Sequence, residues 1–516
     1  MTKSPPQSLH GLVADNLGGF SRLLPKNSDQ PPQDVLAALS VAMSDSVDDV
    51  KDAPDPEENL YVPAGYTYLG QFIDHDLTFD TTSTIDLSDD SHFTNERTAA
   101  FDLDNVYGPG PDAAPYMYKD GIRLVEGDHD LPRQAGRAII GDPRNDENSI
   151  VCNLQMAFLR FHNAVVDELE RRDPSLKGTR RLFDLARMEV RWTYQRVLVE
   201  DFLPRIVSNE TLKAFDVRRD PDALGRSRNE KAFALFTADK RGAIPLEFAG
   251  AAYRFGHSMV RNGYRLNDDF AAKIFVNTKP DADPDDSLVA FAPLPVKQVI
   301  TDWSRFFPDP AVPTREPGRK DDSNATTAND RRRLQFAYRI DPTLVNPLAT
   351  LPPSVAAGGP VNLAFRNLMR GRKFELPTGQ AVSALLGVPE VDADHLLVRD
   401  KSQGNDKQTF LPLSRIDPEL ARNTPLWFYV LAEAQQPVVD WWIARGKGTF
   451  SEDELLDAAS RTATQLGETG GRILLEVFHG LLDADPSSCR NHPAAPNWRP
   501  LIRSFRMWDL VNAIFG

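Results

Sequence analysis

The chain has 516 residues, with 59 Lys plus Arg against 74 Asp plus Glu and a formal net charge of −15. Apolar residues make up 41% and charged residues 26%, a globular balance that excludes a disordered chain, while the acidic surplus argues against a general nucleic-acid or anionic-membrane binder. No stretch reaches the roughly 18 apolar residues of a membrane-spanning helix, and Cys152 and Cys489 are too few for a disulfide framework.

Residues 1–60 read as an N-terminal arm, with one helical patch from Val35 to Met43 and an acidic run from Asp45 to Glu58. Met1 to Gln30 lacks a signal-peptide apolar core, so a cytoplasmic location is the default expectation, with export by a route that uses no such signal left open. Residues 61–141 are rich in turn punctuation. Two strong helices follow at 150–169 and 180–202, where apolar residues recur at steps of three and four. A third, shorter helix is expected from Glu247 to Val260. Residues 280–330 are polar and proline-rich and read as a surface excursion. Further helices are expected at 360–372, 425–445, 452–465 and 471–482. Alternating strand patterns are scarce, so the class is mainly α.

Five short stretches could carry chemistry. In Tyr68 to Asp80, an Asp-His-Asp triplet sits among apolar neighbours, and buried polar groups need partners. On a helix Gln71 and His75 would share a face, with Asp74 and Asp76 to either side. The same residues suit a core histidine flanked by capping aspartates. In Arg97 to Gly108, Thr98, Asp102 and Asp104 offer hard oxygen ligands of the kind Ca²⁺ prefers, although an isolated acidic turn is commoner. Arg144 and Glu147 stand at i, i+3 just before the helix at 150, where Asp146 or Asn148 could simply cap it. Arg254 and His257 pair at the same spacing, as do Asn367 and Arg370. Metalloprotease, P-loop, dinucleotide and nucleophile-elbow motifs are all absent. Two separate histidine elements, each with an Arg or Gln neighbour, could face a haem from its two sides.

The order and spacing of these motifs resemble those of the animal-type haem peroxidases, the peroxidase–cyclooxygenase superfamily that includes myeloperoxidase and lactoperoxidase, and look most like its compact bacterial members. The likeness runs from Gly70 to Gln380, with further matches at 426–435 and 466–482. It implies a single large helical haem-peroxidase domain with long loops and little β, over 61–516. It also implies a peroxidase that uses H₂O₂ to oxidise small organic donors or halides through a ferryl state. His75 resembles the family's distal histidine, Gln71 the distal glutamine and Arg144 the distal arginine. His257 resembles the proximal ligand of a haem b iron, and Asn367 the asparagine that accepts its N–H. Arg254 and Arg370 match arginines on the propionate side. Asp74 and Glu147 occupy the places where the family can form ester links to haem. The family's Ca²⁺ ligands fall on Asp76, Thr98, the Ala100 carbonyl, Asp102 and Asp104, the last replacing a serine. The methionine that forms a third link in myeloperoxidase corresponds to Asn148, so that link is not expected.

A fatty-acid dioxygenase branch carries a tyrosine three residues before the proximal histidine, and here that residue is Arg254. A non-catalytic adhesion protein with the same fold would have lost one of the catalytic residues, and none is missing. The expected partners are therefore H₂O₂ and a small-molecule or halide donor, with no nucleic acid and no transmembrane segment.

Overall fold

The computed structural model describes residues 20–45, 57–79, 95–215, 233–276, 287–288, 291–310, 334–400, 408–446, 449–450, 454, 462–502 and 504–515. Helices dominate, at about half of the described residues. The principal ones are α1 (Gln33–Met43), α2 (Gly65–Leu77), α3 (Ser149–Arg172), α4 (Arg180–Val197), α5 (Leu363–Lys373), α6 (Gly379–Leu386), α7 (Leu426–Ile443), α8 (Glu468–Ala484) and α9 (Met507–Phe515). Strands form small antiparallel sheets of two or three members, such as Glu58–Pro63 with Phe336–Tyr338.

The long helices follow their apolar periodicity. In α3, Leu154, Phe158, Phe161 and Val165 are all buried, and the Asn148 side chain caps the first turn. α4 gives way at Leu198 to a single π-turn that ends at Phe202, so the run expected from 180 to 202 is helical throughout but not uniformly α. That turn carries Asp201, which accepts the Tyr66 hydroxyl of α2 at 2.6 Å and the Met507 N–H of α9 at 2.8 Å.

The core is aromatic where the helices meet. Phe72 of α2 stacks on Phe158 of α3 at 4.6 Å between ring centroids, and both meet Tyr194 of α4 edge-on. Phe101 carries the contact on to Phe478 of α8, which packs in turn against Phe248 and Tyr253. α2 is thereby clamped on several sides, and it is the element that positions the site.

Three expectations need correction. The helix expected over 247–260 is two pieces, an α-turn at Leu246–Gly250 and a 3₁₀ segment at Ala252–His257, with Ala251 at φ −136° between them. Gly250 and Gly256 lower helix propensity there, and a Cβ on Gly250 would lie 2.8 Å from the Phe374 ring, so close packing decides the backbone. The N-terminal arm is, over its described residues, part of the core: Leu36, Leu39 and Met43 of α1 are buried, and α1 packs on α5. Residues 291–310 of the expected surface excursion likewise bury Trp303, Phe306 and Phe307. Residues 280–286 and 311–330 of that excursion, and most of the helix expected at 452–465, lie outside the described residues.

Candidate functional site

α2 lies between two short 3₁₀ turns, Pro143–Asp146 on one side and Ala252–His257 on the other, and packs on both. In a 3₁₀ turn, residues three apart eclipse one another. The pairs Arg144 with Glu147 and Arg254 with His257 therefore stack on one line more closely than an α-helix would allow. Gly141 leads into the first turn, and a Cβ there would lie 2.3 Å from the Asp104 carbonyl oxygen. Only glycine lets the segment approach the 98–107 loop so closely.

Gln71 and His75, one turn apart, both reach the 142–148 segment. His75 Nδ1 is 2.7 Å from Asn145 Oδ1, and Gln71 Oε1 accepts from Asn148 Nδ2 at 3.1 Å. The tautomer of His75 follows from the atoms behind it. The Asn105 backbone carbonyl can only accept, so Gln155 donates to it through Nε2 at 3.3 Å. Gln155 Oε1 then accepts from Asn145 Nδ2 at 2.7 Å, which leaves Asn145 Oδ1 as an acceptor for the His75 Nδ1–H. The proton sits on Nδ1, and Nε2 is left as a free base. Burial, followed by the Arg144 charge, lowers the His75 pKa to about 4, so the ring is neutral at ordinary pH.

Arg144 is held by Asp142, which is fully buried and receives Arg144 Nη2 at 2.7 Å, Arg144 Nε at 3.0 Å and Arg97 Nη2 at 2.6 Å. Burial alone would raise the Asp142 pKa, but Arg144, then His75 and Arg97, outweigh it and hold the carboxyl below its usual range. The Arg144 guanidinium also donates to the Thr78 carbonyl and lies 4.8 Å over the Phe79 ring. Asp146 does not cap α3; it pairs with Arg133 at 2.6 Å. The cap is Asn148.

On the other side of α2, Tyr253 donates its hydroxyl to the Gly70 carbonyl at 3.3 Å, which joins the second turn to the helix. His257 Nδ1 lies 2.7 Å from Asn367 Nδ2 of α5, and Asn367 Oδ1 accepts from Arg370 Nη1 at 3.4 Å. With the amide in this orientation its nitrogen donates to Nδ1; turned by 180° it would give up the long 3.4 Å contact from Arg370, accept from Nδ1–H and free Nε2 for a metal. Arg254 Nε is buried with no hydrogen-bond partner. A Cβ on Gly256 would meet nothing within 4 Å.

The two sides share one electrostatic field. Burial lowers the Arg254 pKa, while Asp74 opposes that shift and Arg144 and Arg366 add to it. Glu147, half-buried, is pushed up to about 7 by desolvation against the pull of Arg144 and Arg366. Asp74 is half-buried and accepts the Thr78 hydroxyl at 3.1 Å. Arg366, one residue before Asn367, escaped the sequence reading, as did Asn145, Asp142 and Gln155. Only the Asp142-x-Arg144 spacing carried a local signal.

Asp76 leaves α2 toward the 98–104 loop. Both its oxygens are buried without partners, as is Asp102 Oδ1. Burial, then Asp102 and Asp104, raises the Asp76 pKa well above the carboxylate range, and burial with Asp104 brings Asp102 up to about 7. Thr98 donates to Asp102 Oδ2 at 2.7 Å, and Ala100 is half-buried on the same loop. Among the described residues, no group of three or more His, Cys, Asp or Glu side chains is set to hold a metal ion as it stands. Among them too, no helix is long and apolar enough to cross a membrane.

Residues 86–291 match the family model described as animal haem peroxidase. The chain is 28% identical over 262 residues to chorion peroxidase of Drosophila melanogaster, covering 50% of this chain and 27% of that protein. It is 23% identical over 382 residues to dual oxidase of Drosophila melanogaster, covering 72% and 20%. The chain thus spans little more than a quarter, at most, of the curated relatives it matches. Among solved structures it is similar in fold to peroxidase A from Dictyostelium discoideum, with a TM-score of 0.60 at 15% identity, over 96% of this chain and 93% of that one. A fatty acid alpha-dioxygenase of Oryza sativa, solved with palmitic acid, has a TM-score of 0.54 at 16% identity, over 95% and 78%.

Proposed function

We propose, from the match of residues 86–291 to the animal haem peroxidase family model and from the site's geometry, that the protein is a haem-dependent peroxidase that uses H₂O₂ to oxidise a small organic donor or a halide. The residues present fit the cofactor. Arg144 and Arg366 lie within electrostatic reach of Arg254, and Arg254, Arg366 and Arg370 within reach of His257; this gathering of positive charge suits a dicarboxylate, and the unpartnered Arg254 Nε is a donor in want of an acceptor. The open side of Gly256 leaves room for a flat group beside His257. His257 would hold the iron through Nε2, with Asn367 fixing the ring from behind. Asp74 and Glu147 would stand at the haem edge, where ester links form in the family. Bound there, haem would supply the redox centre that takes oxidising equivalents from peroxide and passes them to the donor.

The protein's own part is proton and charge handling. His75, neutral and with Nε2 free, takes a proton from one peroxide oxygen and returns it to the departing one. Arg144 stabilises the negative charge that grows as the O–O bond breaks, and Asp142 keeps the guanidinium aimed. The observation that carries this reading is the hydrogen-bond chain from the Asn105 carbonyl to His75, which leaves a free base beside a fixed guanidinium.

A Ca²⁺ ion held by Asp76, Thr98, the Ala100 carbonyl, Asp102 and Asp104 belongs to the same proposal. It is supported by the unpartnered oxygens of Asp76 and Asp102, since a buried carboxylate without a proton or cation is costly. Asp76 follows His75 directly, so the ion would steady the catalytic end of α2.

The fold likeness to a fatty acid alpha-dioxygenase supports a second reading. Against it, Arg254 stands three residues before His257, and the Tyr253 hydroxyl is engaged by the Gly70 carbonyl. The test is an absorption spectrum of haem-loaded protein. Addition of H₂O₂ is expected to shift the haem band, and a phenol or bromide to restore it. No haem uptake, or uptake without a peroxide-dependent shift, overturns the proposal. Oxygen uptake with a fatty acid would favour the second reading.

A further inference from the structure

Tyr107 and His162 are both fully buried and bonded to each other, and the proton and charge handling at His75 and Arg144 uses neither. The direction of their bond is set from the far side of the imidazole. His162 Nε2 lies 2.9 Å from the Ile122 carbonyl, which can only accept, so the ring proton is on Nε2 and Nδ1 carries a lone pair. The Tyr107 hydroxyl, 3.1 Å from Nδ1, therefore donates to it. Burial raises the Tyr107 pKa well above the phenol range and lowers that of His162 to about 4, so both groups are neutral at rest.

Three other buried phenols are placed differently. Tyr118 and Tyr253 donate to backbone carbonyls, of Tyr107 and Gly70, which cannot take up a proton. Tyr66 donates to Asp201, but that carboxylate is also held by Arg205 and by the Met507 N–H. Only at Tyr107, of these four, does the hydroxyl face an otherwise unused lone pair on a base. Packed rings join the pair to the site. Phe72, next to Gln71 on α2, stacks on Phe158, which lies one turn before His162 on α3, and the His162 ring meets Tyr107 edge-on at 5.3 Å between centroids. On the outer side, Phe183 meets Tyr107 and Tyr118 edge-on, and the exposed Arg180 lies over Phe183.

We infer, on the peroxidase reading of the site, that Tyr107 and His162 form a second redox site, in which Tyr107 gives an electron to the peroxide-oxidised haem while its proton passes to His162. The phenol O–H bond breaks, an N–H bond forms at Nδ1, and the haem is reduced by one electron. What remains in the protein is a neutral tyrosyl radical beside a His162 imidazolium. A one-electron donor such as a phenol later returns the electron, and the proton goes back to the Tyr107 oxygen. The weak basicity of His162 is no obstacle, because a phenol that has lost an electron is a far stronger acid than an imidazolium. Without a base in contact, the oxidised phenol would have to keep its positive charge inside an apolar core, where burial makes charge costly.

The experiment mixes haem-loaded protein with H₂O₂, freezes it within the first turnover and records the electron paramagnetic resonance spectrum, with the decay of the peroxide-shifted haem band followed in parallel. Wild type is expected to give a tyrosyl signal whose hyperfine couplings change when histidine is isotopically labelled. Tyr107→Phe keeps the ring and removes only the hydroxyl; it should lose that signal and hold the shifted haem band longer, because the internal donor is gone. His162→Gln can still accept the Tyr107 O–H but cannot take its proton, so the signal should be lost although Tyr107 remains. A signal that survives in Tyr107→Phe, a signal of full size in His162→Gln, or no tyrosyl signal in a wild type whose haem band responds to peroxide overturns the inference. Should either variant fail to fold, the wild type decides alone, and a tyrosyl signal insensitive to histidine labelling overturns it. A wild type that takes up no haem, or whose haem band ignores peroxide, refutes the peroxidase reading instead, so the two failures are distinguishable.

Discussion

Asp142→Asn removes one charge and almost no volume, and its consequences can be worked from the geometry. The carboxylate is wholly buried and receives two guanidiniums, from Arg97 at 2.6 Å and Arg144 at 2.7 Å, as well as the Arg144 backbone N–H at 2.9 Å. Asparagine keeps one acceptor, but its amide nitrogen must then face an arginine N–H, donor against donor. Breaking a buried ion pair from one side costs about 3–5 kcal/mol. The Arg144 side chain is 29% exposed, so water recovers part of the loss and the lower end, about 3 kcal/mol, is expected. The pH dependence has a definite sign. The folded-state pKa of Asp142 lies below its unfolded value of about 3.9, so its contribution is complete above roughly pH 4 and is lost as the pH falls further. The deficit of the variant should therefore be full at pH 7 and shrink below pH 4. Arg144 would keep its bond to the Thr78 carbonyl and its place over Phe79 but lose its aim, which should slow the reaction with peroxide by roughly 10²-fold. Denaturant unfolding and stopped-flow absorbance of the haem-loaded protein measure the two effects. A stability change below about 1 kcal/mol, the worth of a surface pair, together with an unchanged peroxide rate, would refute the reasoning.

His162 gives a second pH limb: its Nε2 donates to the Ile122 carbonyl at 2.9 Å, its Nδ1 accepts from the Tyr107 hydroxyl, and burial lowers its pKa to about 4. Between roughly pH 6.5 and 4 the unfolded chain takes up the proton first, so stability falls as pH falls; His162→Gln, which cannot charge, should flatten this limb by about 3 kcal/mol, and equal slopes for both proteins would exclude it. Removing Ca²⁺ with a chelator should lower the thermal midpoint and restoring Ca²⁺ should recover it, while Asp76→Asn should abolish the response; protein that carries no calcium and does not respond to it rules the site out. Asn367→Ala should weaken haem uptake by apoprotein by about 10–100-fold in a spectral titration, and an unchanged affinity would remove the asparagine from the proximal side.

The long helices could be read from the sequence because burial imposes the periodicity that reveals them: Leu154, Phe158 and Phe161 lie inside for the same reason that they are spaced by three and four. The turns that carry Arg144 and His257 were harder. Spacing of i, i+3 fits an α-helix and a 3₁₀ turn alike, and close packing of Gly250 on Phe374 breaks the helix expected around His257. α1 looked like an arm because its neighbour α5 lies more than 300 residues away, so nothing local announces the partner. The same applies to Asn145, which is 70 residues from His75, and to Asp142, which is 45 from Arg97. Their roles exist only once the chain has folded. Asn148 is the reverse case: an Asn before an apolar periodic run reads as a cap, and it is one, but its contact with Gln71 appears only in three dimensions.

Two amide relays run from the 105–155 region to side chains of α2, and both take their sense from backbone atoms. The one that ends at His75 starts from the Asn105 carbonyl, which can only accept; the one that ends at Gln71 starts from the N–H groups of Ile150 and Val151, which can only donate. A lone amide or imidazole in a pocket can turn over, and its polarity then averages out. Here each link has its direction imposed by the one before it, so His75 presents a lone pair and Gln71 presents N–H groups on one face of α2. The Asn105 side chain closes the first relay on α2 itself, through its bond to the Phe72 carbonyl at 3.0 Å. The helix that bears both functional side chains is thus tied to the relay that orients one of them. Displacement of α2 should therefore disturb the His75 tautomer and the Gln71 polarity together.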